Sequence, residues 1–138
     1  MDEQLGFEVT LNLPYAQAIE AVTAALKTQG FGVLTHIDVR ATLKEKLGAD
    51  FRPYVILGAC NPPLAHRALQ TDPTLGLLLP CNVTVEESGE NTSLVRLTNP
   101  AMMVNFTSDP AALKEVAEQA SQKIKNVVQA LQDLGAPA

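Results

Sequence analysis

Two short stretches carry the residue types with the greatest chemical reach: Gly58-Ala59-Cys60-Asn61-Pro62-Pro63 and Leu77-Leu78-Leu79-Pro80-Cys81-Asn82-Val83. Each sets a Cys-Asn dipeptide beside a proline, and together they hold both cysteines of the chain. Cys60 falls where an apolar run gives way to a helix start. There the unpaired N–H groups and the helix dipole favour an anion and lower a thiol pKa. Such a thiol suits a nucleophile, a redox group or a metal ligand. His66 follows in the same helix, so Cys60, Cys81 and His66 form a candidate zinc or soft-metal set, thiolate and imidazole being the preferred zinc donors.

The same segments read as two walls of a cleft for a small molecule or ion, because both combine backbone punctuation with polar groups in an apolar setting. The ligand-binding candidates are then Cys60, Asn61, Pro80, Cys81 and Asn82. Plainer roles compete at each position. Cys81 alternates with Leu79, Val83 and Val85 and fits a small buried hydrophobe. Asn61 fits a helix N-cap. Asn82 takes the opposite strand face, lining a pocket or meeting water, and His66 fits a solvated helix flank. A proline inside a strand removes a ladder donor, which places Pro80 at an edge or a bulge. His36 and Asp38, two apart on one strand face, could orient an imidazole for acid–base work or simply be the wet side of a strand.

These residues need elements to position them. Phe7, Val9, Leu11 and Leu13 alternate with polar residues, the mark of a strand with one face inward. Pro14 suits a first helical position, and Ala18, Ile19, Val22, Ala25 and Leu26 then keep helical spacing up to Gly30. Period two returns over 31–40, with Phe31, Val33, Ile37 and Val39 on one face and His36, Asp38 and Arg40 on the other. Thr42-Leu43-Lys44-Glu45 reads as a capping box for a short helix that Gly48 ends. Tyr54-Val55-Ile56-Leu57 is a strand apolar on both faces, which implies cover from a helix, a loop or a second subunit. Asn61-Pro62 opens a helix through Leu64, Ala65, Ala68 and Leu69 to Asp72-Pro73. Strands follow at 77–86 and 92–98, with Gly89 in their hairpin. The 100–106 loop, with Met102, Met103 and Phe106, closes a pocket, meets another subunit or packs into the core. Asp109-Pro110 then starts a helix whose stripe is Leu113, Val116, Ala117, Ala120, Ile124, Val127, Val128 and Leu131. The expected fold is α+β, in the order β-α-β-(α)-β-α-β-β-α, a mostly antiparallel sheet with helices on one face. Residues 1–138 read as a single domain with its core over about 7–134.

Composition sets outer bounds. The chain has 10 Lys+Arg against 15 Asp+Glu, a net charge of -5, so it lacks the cationic surplus that drives nucleic-acid binding. Apolar runs such as 54–57 and 77–79 fall far short of the roughly 18 to 20 residues of a membrane span. Asp2 and Glu3 near the start do not resemble a signal peptide, and two cysteines are too few for a secreted disulfide framework, so a cytoplasmic protein is expected. No His-Glu-x-x-His, Cys-x-x-Cys, Gly-x-Ser-x-Gly or P-loop occurs, and Gly30-Phe31-Gly32 lacks both the third glycine and the following helix of a dinucleotide site. No nucleophile, base and orienting group can be assembled from spacing, so neither a catalytic residue nor a cofactor is assigned.

Tyr54-Val55-Ile56-Leu57-Gly58-Ala59-Cys60-Asn61-Pro62, then Ala65, Ala68-Leu69, Asp72-Pro73 and Gly76-Leu77-Leu78-Leu79-Pro80-Cys81-Asn82-Val83, resemble the domain-of-unknown-function family 302 of small bacterial and archaeal proteins. The resemblance implies an α+β fold like that of the TATA-box-binding protein, and a homodimer. It implies no established activity, and it marks Cys60, Asn61, Pro80, Cys81 and Asn82 as a motif without giving any of them a role. Likeness to a DNA-binding architecture carries no DNA function in so acidic a chain.

Overall fold

Alternating segments form strands and 3.6-periodic segments form helices across residues 1–135, which the computed structural model describes. In chain order these are β1 (Gly6–Leu11), α1 (Tyr15–Thr28), β2 (Gly32–Asp38), α2 (Val39–Leu47), β3 (Tyr54–Cys60) and α3 (Pro62–Thr71). After a 3-10 segment at Pro73–Leu78 come β4 (Cys81–Gly89) and β5 (Thr92–Thr98), then a second 3-10 segment at Pro100–Asn105 and α4 (Pro110–Gly135). The five strands form one sheet in the order β1-β5-β4-β3-β2, every neighbour antiparallel. This is the expected α+β architecture, with the helices against one face.

Alternation decides which side chains meet the helices. Val9 and Leu11 of β1, Val55, Leu57 and Ala59 of β3, Val83 and Val85 of β4, and Val95 and Leu97 of β5 all point to the covered face. They pack with Ala18, Val22 and Leu26 of α1 and with Ile124, Val127 and Leu131 of α4. A second cluster joins Leu64 and Ala68 of α3 to Leu75, Met103 and the first half of α4, at Leu113, Val116 and Ala120. The long α4 therefore spans both clusters, its first turns serving the smaller and its last turns the larger. Asp72 ties the smaller cluster together, accepting from Thr74 and, at 2.9 Å, from Thr107 Oγ1. These hydrogen bonds hold its carboxyl below the usual range.

Five local expectations are corrected. The register of β2 against β3 shifts between Val33 and Thr35, so His36 and Asp38 join the covered side opposite Leu57 and Val55 while Ile37 turns to the open face. The helix after β2 starts at Val39, not Thr42, because Asp38 caps it by accepting from the Ala41 N–H at 2.9 Å. That use of the carboxylate, rather than His36, accounts for the Asp38 position. Residues 77–80 are not strand: Leu77 and Leu78 end a 3-10 segment and β4 begins at Cys81. Pro80 consequently lies just before a central strand, neither on an edge nor in a bulge, with a cis bond from Leu79. Pro14 likewise stands immediately ahead of α1 rather than inside it.

Among the described residues no helix covers the other face of the sheet. Its polar row is built across strands: Arg96 Nε donates to Glu8 at 2.9 Å, Arg96 Nη1 to Glu86 at 2.6 Å, and Arg52 Nη1 to Glu86 at 3.3 Å. Ile37 is 47% exposed on this face, where Ile56 is its register partner.

Candidate functional site

The two Cys-Asn segments meet because β3 and β4 are neighbours. Ala59 pairs with Cys81 and Gly58 with Asn82, so Cys60 lies one step along β3 from the residue opposite Cys81. The end of β3 turns at once into α3. Asn61, with β-region backbone, accepts from the Leu64 N–H at 3.4 Å, and Pro62 takes the first helical position, where a missing N–H costs nothing. The Asn61 amide also donates to the Gln29 carbonyl at 3.1 Å, pinning the α3 start to the end of α1. The asparagine is therefore buried with both ends of its side chain in use. Asn61→Ala removes a cap and an interelement hydrogen bond and is expected to lower unfolding free energy by about 1–2 kcal/mol. Urea unfolding checks this, and an unchanged midpoint would contradict the role.

Cys60, Asn61 and Cys81 line one partly open, mainly apolar cavity of about 30 Å³. It lies at the seam between the two hydrophobic clusters. Phe31 and Ala59 come from the larger, and Leu64, Ala68, Met103, Val116 and Ala120 from the smaller. Cys60 is half-buried and Cys81 buried, both as free thiols. Burial, with the nearby Cys60 adding to it, pushes the Cys81 thiol up to about 11, so it is protonated at neutral pH.

The sheet divides the remaining candidates. Asn82 is exposed on the open face, where its carbonyl accepts from Thr98 Oγ1 at 2.7 Å. It borders a shallow trough with Tyr54, Thr84 and Arg96. Pro80 packs over Gly58 on that same side. A Cβ at Gly58 would come within 2.7 Å of Pro80 Cγ and would collide with Thr35 Oγ1, so glycine is needed there for close approach. His66 is exposed and does not line the cavity, which leaves the Cys60, Cys81 and His66 set unassembled. Among the described residues no group of three or more His, Cys, Asp or Glu could hold a metal ion. The cavity wall also contains residues not assigned to the site from the sequence, notably Phe31, Leu64, Leu79 and Val116. The 100–106 loop divides its expected roles, Pro100 and Met103 walling the cavity while Phe106 is 66% exposed.

Fold and cavity together define a small α+β protein with a one-sided helical layer and a paired-cysteine pocket beneath the sheet. The family model for the domain of unknown function DUF302 matches residues 7–131, and the chain belongs to that family. A crystal structure of an uncharacterized conserved protein DUF302 from Bacillus stearothermophilus is 34% identical with a TM-score of 0.81. The match covers 92% of this chain and 98% of that one. No curated protein matches the chain. Among the described residues no helix is long and apolar enough to cross a membrane.

Proposed function

We propose that the protein is a homodimeric binding domain for a small molecule or ion, its occupant held in the cavity beneath the paired Cys-Asn segments. The observation that carries this reading is that Cys60, Asn61 and Cys81, from segments twenty residues apart, wall one cavity. Asn61 shapes the wall and Cys60 stands at its accessible side. Pro80, packed over Gly58, backs β3 from the open side, where Asn82 is exposed. Self-association is drawn through the open sheet face, where Ile37 and Ile56 supply apolar contact and the Arg96, Glu8 and Glu86 row supplies charges of both signs.

Native mass spectrometry of protein purified without affinity metal or chelator reads subunit number and bound mass together. The expected spectrum is a dimer with an added mass that Cys60→Ser removes. A monomer overturns the assembly. The absence of any Cys60-dependent mass, together with no thermal shift across a metabolite panel, overturns the binding reading.

A thiol redox role is the second reading, favoured by two free thiols on adjacent strands, close enough that Cys60 helps to raise the Cys81 thiol. Peroxide would oxidise Cys60 to a sulfenic acid with release of water, and Cys81 would displace a second water to close the disulfide. The mass of two hydrogens lost without any dimer crosslink supports it, and thiols that survive mild peroxide remove it.

A further inference from the structure

Small side chains keep the cavity open at the seam where the two hydrophobic clusters meet. Ala59 of β3, Ala65 and Ala68 of α3 and Ala120 of α4 all line it, each leaving room that a valine or leucine would occupy. Native cores hold few voids larger than a water molecule, so a space bordered by four alanines from three elements is a built feature of the fold. We propose that it is a site for an apolar diatomic gas of the dioxygen class. This rests on the reading of the cavity as a binding site and removes ions and hydrogen-bonding metabolites from its range of occupants.

The walls make the first case. Among the described residues that line the cavity there is no carboxylate, imidazole, ammonium or guanidinium, so an entering ion would lose its hydration with no charge to replace it. The one side-chain amide, Asn61, is spent on the Leu64 N–H and the Gln29 carbonyl. The Cys81 thiol is buried and keeps its proton at neutral pH. A bound water needs two to four polar partners, whereas an apolar cavity stays dry and takes up apolar guests. Phe31, Cys81 and Met103 bring polarisable ring and sulfur atoms to the wall, where dispersion rather than hydrogen bonding holds a guest.

Size and access make the second. A volume of about 30 Å³ admits one or two water-sized groups, which fits a two-atom molecule and excludes an organic metabolite unless the walls move. Of the lining residues only Cys60, Ala65 and Leu79 are half-buried and the rest are buried, so these three frame the mouth. The floor reaches Val116 and Ala120 of α4, the helix that spans both clusters, so a guest there touches the element that joins them. Two heavy atoms at the ceiling of ligand efficiency set the tightest dissociation constant at roughly 5–10 mM.

The test is NMR of methyl-labelled protein under two dissolved gases: xenon as an apolar probe, and dioxygen, whose unpaired electrons speed the relaxation of nuclei it visits. Xenon is expected to shift the Leu64, Met103 and Val116 methyl resonances saturably. Dioxygen is expected to relax these methyls more than those of Val83 and Leu131, which are fully buried but lie outside the cavity. Ala59→Val and Ala68→Val each add bulk at the wall and should abolish both effects. A β-branched residue suits the strand better than the helix, and cooperative urea unfolding establishes which variant folds. Absence of both effects in the native chain overturns the site, as does either effect surviving in a folded, filled variant. Xenon shifts without localised dioxygen relaxation mean an adventitious additive only and overturn the dioxygen assignment. If both gases are refused while native spectra still show a Cys60-dependent mass, the gas falls and the cavity stands as a binding site. If the gases bind and no such mass appears, the apolar guest stands and the Cys60-dependent occupant falls.

Discussion

Glu86→Ala is expected to lower the unfolding free energy by about 2–3 kcal/mol, whereas Glu8→Ala should cost under about 1 kcal/mol. The two carboxylates share Arg96, but their surroundings differ. The Glu86 side chain is 10% exposed and accepts from both Arg96 and Arg52, while that of Glu8 is 39% exposed and accepts from Arg96 alone. Removing the partner of a buried charge leaves the other charge uncompensated, at about 3–5 kcal/mol in fully buried pairs. Here the arginine side chains are 36% and 53% exposed, so water recovers part of that cost and the expected loss is smaller. Urea unfolding of both variants decides the matter. Equal losses would mean that the Glu86 pairing is worth no more than a surface ion pair. The position also bears on assembly: Glu86 lies on the uncovered face, so a dimer formed there should weaken in Glu86→Ala and scarcely change in Glu8→Ala.

Elements with a long, uninterrupted period were legible in the residues. The stripe from Leu113 to Leu131 is buried along α4 at seven of its eight named positions, with Val128 half-buried, and β5 occupies the predicted 92–98. Legibility failed where two local signals competed. Leu77-Leu78-Leu79 is apolar enough for a strand, yet Asp72-Pro73 starts a 3-10 segment by accepting from Thr74, and the chain reaches Leu79 before it extends. In β2 a one-residue irregularity reverses every later side chain, so strict alternation from Phe31 assigned His36, Ile37 and Asp38 to the wrong faces. The site shows the same division. The pairing of β3 with β4, which sets the two Cys-Asn segments side by side, was not legible from spacing, and alternation sends Asn82 through to the other face, so a motif contiguous in sequence is not contiguous as a surface. Met103 was visible only as part of an apolar loop, because its place in the wall depends on how α4 returns across the smaller cluster.

In the metal-free protein, raising the pH from 8 to 11 should lower the unfolding free energy by about 2–3 kcal/mol more in the native chain than in Cys81→Ala. The sign follows from where the proton is held. Burial first, and the neighbouring Cys60 second, raise the Cys81 thiol from an ordinary value of 9.0 to about 11. Below pH 9 folded and unfolded chains both keep the proton, and the thiol contributes no pH dependence. Between about 9 and 11 the unfolded chain gives it up while the folded chain holds it, so alkali draws the equilibrium toward the unfolded state. Beyond that range both forms are ionised and the effect levels off. Every other group, the raised Tyr15 included, is common to both proteins, so the difference between the two pH profiles isolates Cys81. The same protonation predicts that iodoacetamide at pH 8 modifies Cys60 in the folded protein and leaves Cys81 intact. Parallel stability profiles, or rapid alkylation at Cys81, would mean that water reaches the cavity freely.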